Sequence, residues 1–154
     1  MRTIESMFVD YAEHHKTPGN KAFHRLGIPM IMFSLLGLLS SVEMGGARHV
    51  PLDLGVALIA GAGIFYLVLE WRLAIPMVIV SSLFYLGAKP LSLTLVWSLF
   101  IAGWVFQFIG HSVYEKRQPA FFNNLVQLLV GPLWILNDLI PVVQAPEPGT
   151  SEAK

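Results

Sequence analysis

Two things are scarce in this sequence: cysteine, which is absent, and charge. Without cysteine among its 154 residues, the chain has no disulfide framework, no thiolate metal site and no cysteine nucleophile. Only 13% of the residues are charged, against about 25% in an ordinary soluble domain. Basic and acidic residues balance at ten each, so no net charge favours nucleic acid, and we expect no nucleic-acid partner.

Apolar residues make up 55% of the chain and are concentrated in stretches without charge. Four such stretches cover Leu26–Val42, Leu54–Leu69, Leu73–Ala88 and Pro90–Tyr114. A helix needs about 20 residues to cross about 30 Å of hydrocarbon, and flanking charged side chains can lengthen a short stretch by snorkelling. A chain this short has too little polar surface to cover four such helices in water. We therefore expect an all-α integral membrane protein, a four-helix transmembrane bundle in the lipid bilayer.

Shorter segments flank these stretches. Residues 3–15 are typical of an amphipathic interfacial helix, because four apolar residues share one helical face: Ile4, Met7, Phe8 and Tyr11. Thr17-Pro18-Gly19 predicts a break and Asn20 the N-cap of the first long helix. Residues 44–51 predict a loop between the first and second long helices.

The C-terminal part is less regular. Residues 120–140 contain several amides and a Gly131-Pro132 pair, which favours a re-entrant or interfacial helix pair over a further span. Residues 144–154 have the composition of a disordered tail. We therefore expect one membrane-embedded catalytic domain over residues 1–143.

Lysine and arginine are distributed unevenly between the two predicted membrane faces. The face that carries both termini has eight of them: Arg2, Lys16, Lys21, Arg25, Arg72, Lys116, Arg117 and Lys154. The opposite face has only Arg48 and Lys89. Basic residues remain on the cytoplasmic side, so we expect a multi-pass protein with both termini in the cytoplasm. The membrane would be the inner membrane of a bacterium or the endoplasmic reticulum of a eukaryote.

Four of the five histidines fall at this cytoplasmic face. His14, His15 and His24 lie before or within the start of the first span and His111 ends the fourth, whereas His49 falls on the opposite side. Neutral imidazole binds iron, zinc, copper or nickel, so the grouping favours a metal site or a proton-handling site. Histidines near a membrane surface also occur without such a role. A non-enzymatic transporter component or scaffold would explain the spans equally well.

Two motifs around these histidines are similar to those of a known family. They are Tyr11-x3-His15-x4-Asn20-x3-His24 followed by Ile28-Pro29, and the segment Trp104–Ala120, which includes Gln107, Gly110, His111 and Glu115. The pattern continues through Asn123-Asn124-Leu125-Val126-Gln127 and Gly131-Pro132. Over about residues 7–140 the chain resembles the 2-hydroxy fatty acid dioxygenase family.

The resemblance implies an iron(II)-dependent enzyme that uses dioxygen to shorten a long-chain 2-hydroxy fatty acid by one carbon. It transfers the role of metal ligand to His15, His24 and His111. Glu115, His14 and water are the candidates for a fourth ligand. Imidazole ligands suit both iron and zinc, so a zinc-dependent lipid hydrolase or hydroxylase that uses the same histidines remains an alternative.

Other polar residues near the histidines are candidates for substrate and proton chemistry. The substrate carboxylate would lie at headgroup depth, where Arg25, Lys116 or Arg117 could neutralise it. The candidates for orienting the ligands or handling protons are Tyr11, Asn20, Gln107 and Glu115. We expect the site to open at the cytoplasmic interface, above an acyl-length groove between the helices.

Overall fold

The computed structural model of the chain describes residues 3–47, 50–116, 119 and 124–144. These residues are mostly helical, with one short β-hairpin. The elements in chain order are α1 (Ile4–Glu13), α2 (Pro18–Leu39), β1 (Glu43–Ala47), β2 (Val50–Asp53), α3 (Leu54–Leu69), α4 (Trp71–Ala88), α5 (Leu93–Ile109), the π-helix Gly110–Glu115 and α6 (Gln127–Leu139).

Within the described part of the chain, three helical segments are long and apolar enough to cross a membrane. They are Pro18–Leu39, Trp71–Ala88 and Leu93–Glu115, the last of which joins α5 to the π-helix. Helix α3 is equally apolar but has only 16 residues, which correspond to about 24 Å at 1.5 Å per residue. The expected helical class is confirmed, whereas the four-span bundle remains a prediction.

Helix α2 lies at the centre of the molecule and packs along α5 and α4. Glycine lets α2 and α5 approach closely, as small residues do between membrane helices. A Cβ atom on Gly103 would lie 2.7 Å from Cγ1 of Ile31. Helices α3 and α4 form an antiparallel hairpin in which Glu70 is the connecting residue. The Glu70 carboxylate caps α4 by accepting a hydrogen bond from the Arg72 N–H.

The first helix is amphipathic, as predicted. Ile4, Phe8 and Tyr11 on its apolar face are buried, with at most 3% of each residue exposed. They pack in the same core cluster as Val130, Leu133 and other residues of α6. Protein therefore covers this face, and an interfacial position of α1 remains a prediction.

Asn20 is not the N-cap of α2, and this prediction is wrong. The helix begins at Pro18, and the Thr17 hydroxyl accepts a hydrogen bond from the Asn20 N–H at 3.3 Å. Proline fits the first helical position because its missing N–H would have no partner there and its φ is already helical. The Thr-Pro-Gly triplet therefore starts α2, whereas α1 has already ended at Glu13.

Two irregular segments also differ from expectation. The predicted loop at 44–51 forms an antiparallel hairpin of β1 and β2, in which Gly45 and Gly46 adopt φ values of 107° and 150° that side chains disfavour. Over residues 124–144 the structure shows one helix, α6, which continues through Pro132, where a helix pair was expected over residues 120–140; its re-entrant or interfacial position remains a prediction. Residues 120–123 and 145–154, including Asn123 and nearly all of the predicted tail, lie outside the described residues.

A polar cluster stabilises the end of the bundle at which the β-hairpin lies. Asp53 is 1% exposed and accepts hydrogen bonds from the Tyr85 hydroxyl at 2.6 Å, the Val56 N–H at 3.0 Å and Nζ of Lys89 at 3.2 Å. Burial alone would raise the pKa of Asp53, but these hydrogen bonds hold it below its usual value. One carboxylate thus links the start of α3 to the end of α4.

Candidate metal centre

Three histidines from three segments meet at the other end of the bundle. His15 follows α1, His24 lies in α2 and His111 lies in the π-helix, and each is 2% exposed. The ring centroids are separated by 4.3 Å (His15 and His24), 4.9 Å (His15 and His111) and 4.7 Å (His24 and His111). One nitrogen of each lies within 4.8 Å of the others. This buried group can hold a metal ion.

Hydrogen bonds to the backbone fix the orientation of two of these rings. Nδ1 of His15 lies 2.7 Å from the Tyr11 carbonyl oxygen, and Nδ1 of His24 lies 3.0 Å from that of Asn20. A carbonyl oxygen can only accept, so Nδ1 carries the hydrogen in both rings and Nε2 keeps its lone pair. Metal-binding histidines usually donate their other ring N–H in this way.

The unpaired nitrogens support a metal rather than a purely structural cluster. Nε2 of His15 and Nδ1 of His111 are buried without a hydrogen-bond partner among the described residues, although buried polar atoms normally have one. Metal–nitrogen bonds of about 2.1 Å at tetrahedral angles place ligand nitrogens about 3.4 Å apart, so binding would draw nitrogens that now lie within 4.8 Å of one another closer by at most about 1.4 Å.

Burial also favours the protonation state that binds metal. It lowers the pKa of His15 from 6.5 to about 4, outweighing the hydrogen bond to Tyr11, which raises it. His15 is therefore neutral near pH 7. Metal binding requires neutral imidazole, so the ion need not displace a proton from this side chain.

The π-helix that carries His111 is a feature that the periodicity of the sequence does not reveal. The pattern predicts an α-helix up to Glu115, but the winding changes at Gly110 and ends at Lys116, where φ is 53°. Short π-helical segments often occur at functional sites. Gly110 is closely approached by α2, since a Cβ atom there would lie 2.4 Å from Oδ1 of Asn20.

Two of the predicted site residues connect the segments that carry the histidines. Oε1 of Glu115 accepts hydrogen bonds from the Thr17 N–H at 2.7 Å, the Thr17 hydroxyl at 3.1 Å and Nδ2 of Asn20 at 3.3 Å. Asn20 is completely buried and also donates to the His14 carbonyl oxygen at 3.3 Å. In the part of the chain that the structure describes, neither Glu115 nor His14 belongs to the metal-binding group, so a fourth ligand remains a prediction.

Tyr11 and Gln107, the other two predicted residues, also lie at this site. The Tyr11 ring stacks on His15 with centroids 4.0 Å apart, and burial raises the pKa of Tyr11, which keeps the hydroxyl protonated. Gln107 is 5% exposed, and its Nε2 has no partner among the described residues. Both side chains line a cavity that also contains the three histidines.

This cavity has a volume of about 380 Å³, within the range of about 300–1,000 Å³ for small-molecule sites. Its walls are mainly aliphatic and aromatic. Sequence reasoning missed other polar residues that line it. Among them are Gln127, whose Nε2 donates to Asp10 at 2.9 Å, and Tyr66, whose hydroxyl donates to the Leu129 carbonyl at 2.8 Å. The sequence feature that could have identified Gln127 is an amide side chain within an otherwise apolar segment.

The predicted cationic residues lie elsewhere. Arg25 is exposed and forms an ion pair with Asp138, and Lys116 is exposed. Of the described residues that line the cavity, none is lysine or arginine. Arg117, as well as His49 and Arg48 of the opposite face, lies outside the described residues.

Comparison with known proteins adds to this geometry. The sequence matches the model of a family described as 2-hydroxy-palmitic acid dioxygenase Mpo1-like over residues 1–141, a range that includes all three histidines. It is 32% identical over 142 residues to the 2-hydroxy-palmitic acid dioxygenase MPO1 of Saccharomyces cerevisiae, covering 89% of this chain and 79% of the yeast protein. No solved structure matches the chain.

Proposed function

This chain belongs to the 2-hydroxy-palmitic acid dioxygenase Mpo1-like family, and on that premise we propose that it is an iron(II)-dependent dioxygenase. Its substrates would be long-chain 2-hydroxy fatty acids and dioxygen, and its product the fatty acid one carbon shorter. The observation that carries the proposal is the group of His15, His24 and His111 at one end of a long apolar cavity. That arrangement suits an amphiphile whose reactive carbon adjoins its polar end.

The three histidines would hold the metal. Bound by three protein ligands that leave positions open, iron(II) would supply dioxygen activation, as in other non-haem oxygenases. Zinc would accept the same nitrogens but has no redox chemistry, which favours iron for an oxygenase. Glu115 and Asn20 act on the ligands indirectly, by fastening the π-helix to the start of α2.

The remaining polar groups are placed to handle the head of the substrate. Nε2 of Gln107 is a buried donor that has no acceptor among the described residues, and Gln107 lies one helical turn before His111. We expect it to donate to a substrate oxygen. The protonated Tyr11 hydroxyl would hold a proton beside the cavity. Arg25, Lys116 and Arg117 remain candidates for attracting the carboxylate to this face of the membrane.

Four membrane crossings fit this function. Helix α4 follows α3 after a single residue, Glu70, and the two helices pack against each other. We therefore propose that α3 crosses the bilayer alongside α4. Crossings by α2, α3, α4 and α5 would place both ends of the bundle, and all three histidines, at one face. The excess of basic residues makes that face cytoplasmic, where a fatty acid in the inner leaflet presents its carboxylate.

The test is oxidation of 2-hydroxypalmitic acid by the purified, iron-loaded protein. With dioxygen we expect the acid one carbon shorter, detected by mass spectrometry, without a requirement for 2-oxoglutarate. Palmitic acid without the hydroxyl should react far more slowly, because it offers the site one oxygen fewer for positioning. His111→Ala should be inactive, whereas the matched variant His49→Ala, at a histidine predicted to lie at the opposite membrane face, should retain activity. Equal turnover of both acids, or turnover without oxygen, would contradict the dioxygenase proposal.

A further inference from the structure

The length of the cavity carries information about the substrate. On α2 the cavity extends from His24 to Leu36, and along the π-helix and α5 it extends from His111 to Phe100. At a rise of 1.5 Å per residue these intervals correspond to about 18 Å and about 17 Å. The hydrocarbon core of a bilayer is about 30 Å thick, so one leaflet of extended acyl chains measures roughly 15 Å. The cavity is thus about one acyl chain long.

The far end of the cavity lies between α3 and α4. Ile59 and Ser81 line it there, and each is eleven residues from the Glu70 turn. In an antiparallel hairpin, equal separation from the turn places two residues at the same level, here about 17 Å from Glu70. The two side chains therefore lie beside each other at the depth where an extended chain would end.

A second cavity lies directly behind this end. It is an apolar groove of about 490 Å³ on the outer side of the α3–α4 hairpin, and residues such as Val56, Gly63, Ile64 and Ser82 line it. Ile59 lines this groove as well as the inner cavity. Among the described residues it is the one side chain common to both sets of lining residues.

The wall around Ile59 is otherwise thin. Several of the neighbouring residues along α3 and α4 are small: Ala62 and Ser81 towards the inner cavity, and Ala60, Gly63 and Ser82 towards the outer groove. Leu36 and Leu58 line only the inner cavity. Shortening either leucine would enlarge the cavity slightly, whereas shortening Ile59 would connect two cavities.

We propose that Ile59 closes the acyl cavity and sets the upper limit of substrate chain length. The inference rests on the proposed function, because it takes the bound molecule to be a 2-hydroxy fatty acid with its head at the histidines. In the wild type the methyl end of the chain stops against Ile59. When this side chain is removed, a longer acyl chain can continue into the outer groove.

The experiment compares Ile59→Ala and Ile59→Phe with wild type on saturated 2-hydroxy acids from medium to very long chain. Ile59→Ala should raise the ratio of kcat/KM for longer acids to kcat/KM for the acid that wild type prefers. We expect an increase of about tenfold, which is the scale on which pockets discriminate a single methylene. Ile59→Phe should shift the optimum to shorter acids. The control is Ile64→Ala, a 64% exposed residue that lines only the outer groove, and it should keep the wild-type profile.

A binding measurement separates this inference from the proposed function. Displacement of a fluorescent fatty acid by the same series reports chain-length preference without turnover, and Ile59→Val provides a milder change if Ile59→Ala fails to fold. Unchanged binding and turnover profiles in folded Ile59 variants would overturn the proposal, as would a wild type that binds no fatty acid. If binding profiles shift while no protein oxidises any 2-hydroxy acid, the role of Ile59 stands and the dioxygenase assignment fails.

Discussion

Gly110 is the residue whose enlargement should disturb the metal centre most directly without touching a ligand. It begins the π-helix where that segment crosses the first turns of α2. A Cβ atom there would lie 2.4 Å from Oδ1 of Asn20 and 3.3 Å from Nδ1 of His24. Asn20 is 0% exposed, so its side chain has no free space into which it can retreat. Gly110→Ala must therefore push the π-helix and α2 apart.

The magnitude follows from the contacts that this shift disturbs. Overpacking a buried site costs about 1–3 kcal/mol of unfolding free energy. The shift also loosens Asn20 against Glu115 and moves the backbone carbonyl to which His24 donates. Losing such support around a ligand typically lowers metal affinity by about 10–100-fold. We expect Gly110→Ala to show both effects.

Gly61→Ala is the matched control, because a Cβ atom on Gly61 would have nothing within 4 Å. Alanine in a helix is favoured over glycine by about 0.5–1 kcal/mol, so this variant should unfold at the same or a slightly higher temperature and bind metal like wild type. Thermal unfolding in detergent and metal content after dialysis against graded chelator concentrations measure the two effects. If Gly110→Ala matches Gly61→Ala in both assays, the close approach of the π-helix to Asn20 and His24 does not exist.

Three other predictions concern the ligands, the far end of the bundle and the topology. His111→Ala should lose most of the bound metal and remain folded, whereas His49→Ala, predicted to lie at the opposite face, should keep it; equal metal loss in the two variants would contradict the three-histidine site. Because the folded-state pKa of Asp53 is lowered, its stabilising effect is complete above the unfolded value of 3.8 and is lost as pH falls through the folded value. Asp53→Asn should therefore lose less thermal stability than wild type on acidification below about pH 4, and equal losses would argue against the network. A reporter active only outside the cytoplasm should give signal after Gly46 but not at the C-terminus, and signal at the C-terminus would exclude an even number of crossings.

The grouping of histidines could be predicted because it depends on the ends of apolar segments rather than on the details of packing. Hydropathy locates the segments, and an even number of antiparallel helices returns the chain to one face, which groups His14, His15, His24 and His111. The choice of His15, His24 and His111 as ligands came from the family resemblance. The hydropathy reasoning also works for the Glu70 turn, where a charged residue interrupts an otherwise apolar run. These features depend on which segments avoid water, and that property can be read directly from the amino-acid composition of each segment.

Features that depend on tertiary contacts were not predictable in this way. Nothing in the sequence around Gly110 separates a π-helix from an α-helix, since the difference arises where α2 presses against that turn. The role of Gln127 requires knowing that α6 packs against α1, and the periodicity of α6 does not specify its partner. Pro18 was ambiguous because the same residue type ends one helix and begins another, and only the Thr17 cap decides between them.

The contacts around the metal centre also indicate what would remain without the metal. Each ligand is held by something other than the ion: His15 by its hydrogen bond to Tyr11, and His24 by the one to Asn20. The π-helix that bears His111 is fastened to α2 through Glu115. Tyr11 belongs to the core shared with α6. Helix packing and hydrogen bonds therefore bring the three side chains together. The free energy needed to hold them in place comes from folding rather than from binding of the ion. Metal removal should consequently abolish activity while the helical bundle persists, unlike in small zinc domains, where binding and folding are a single event.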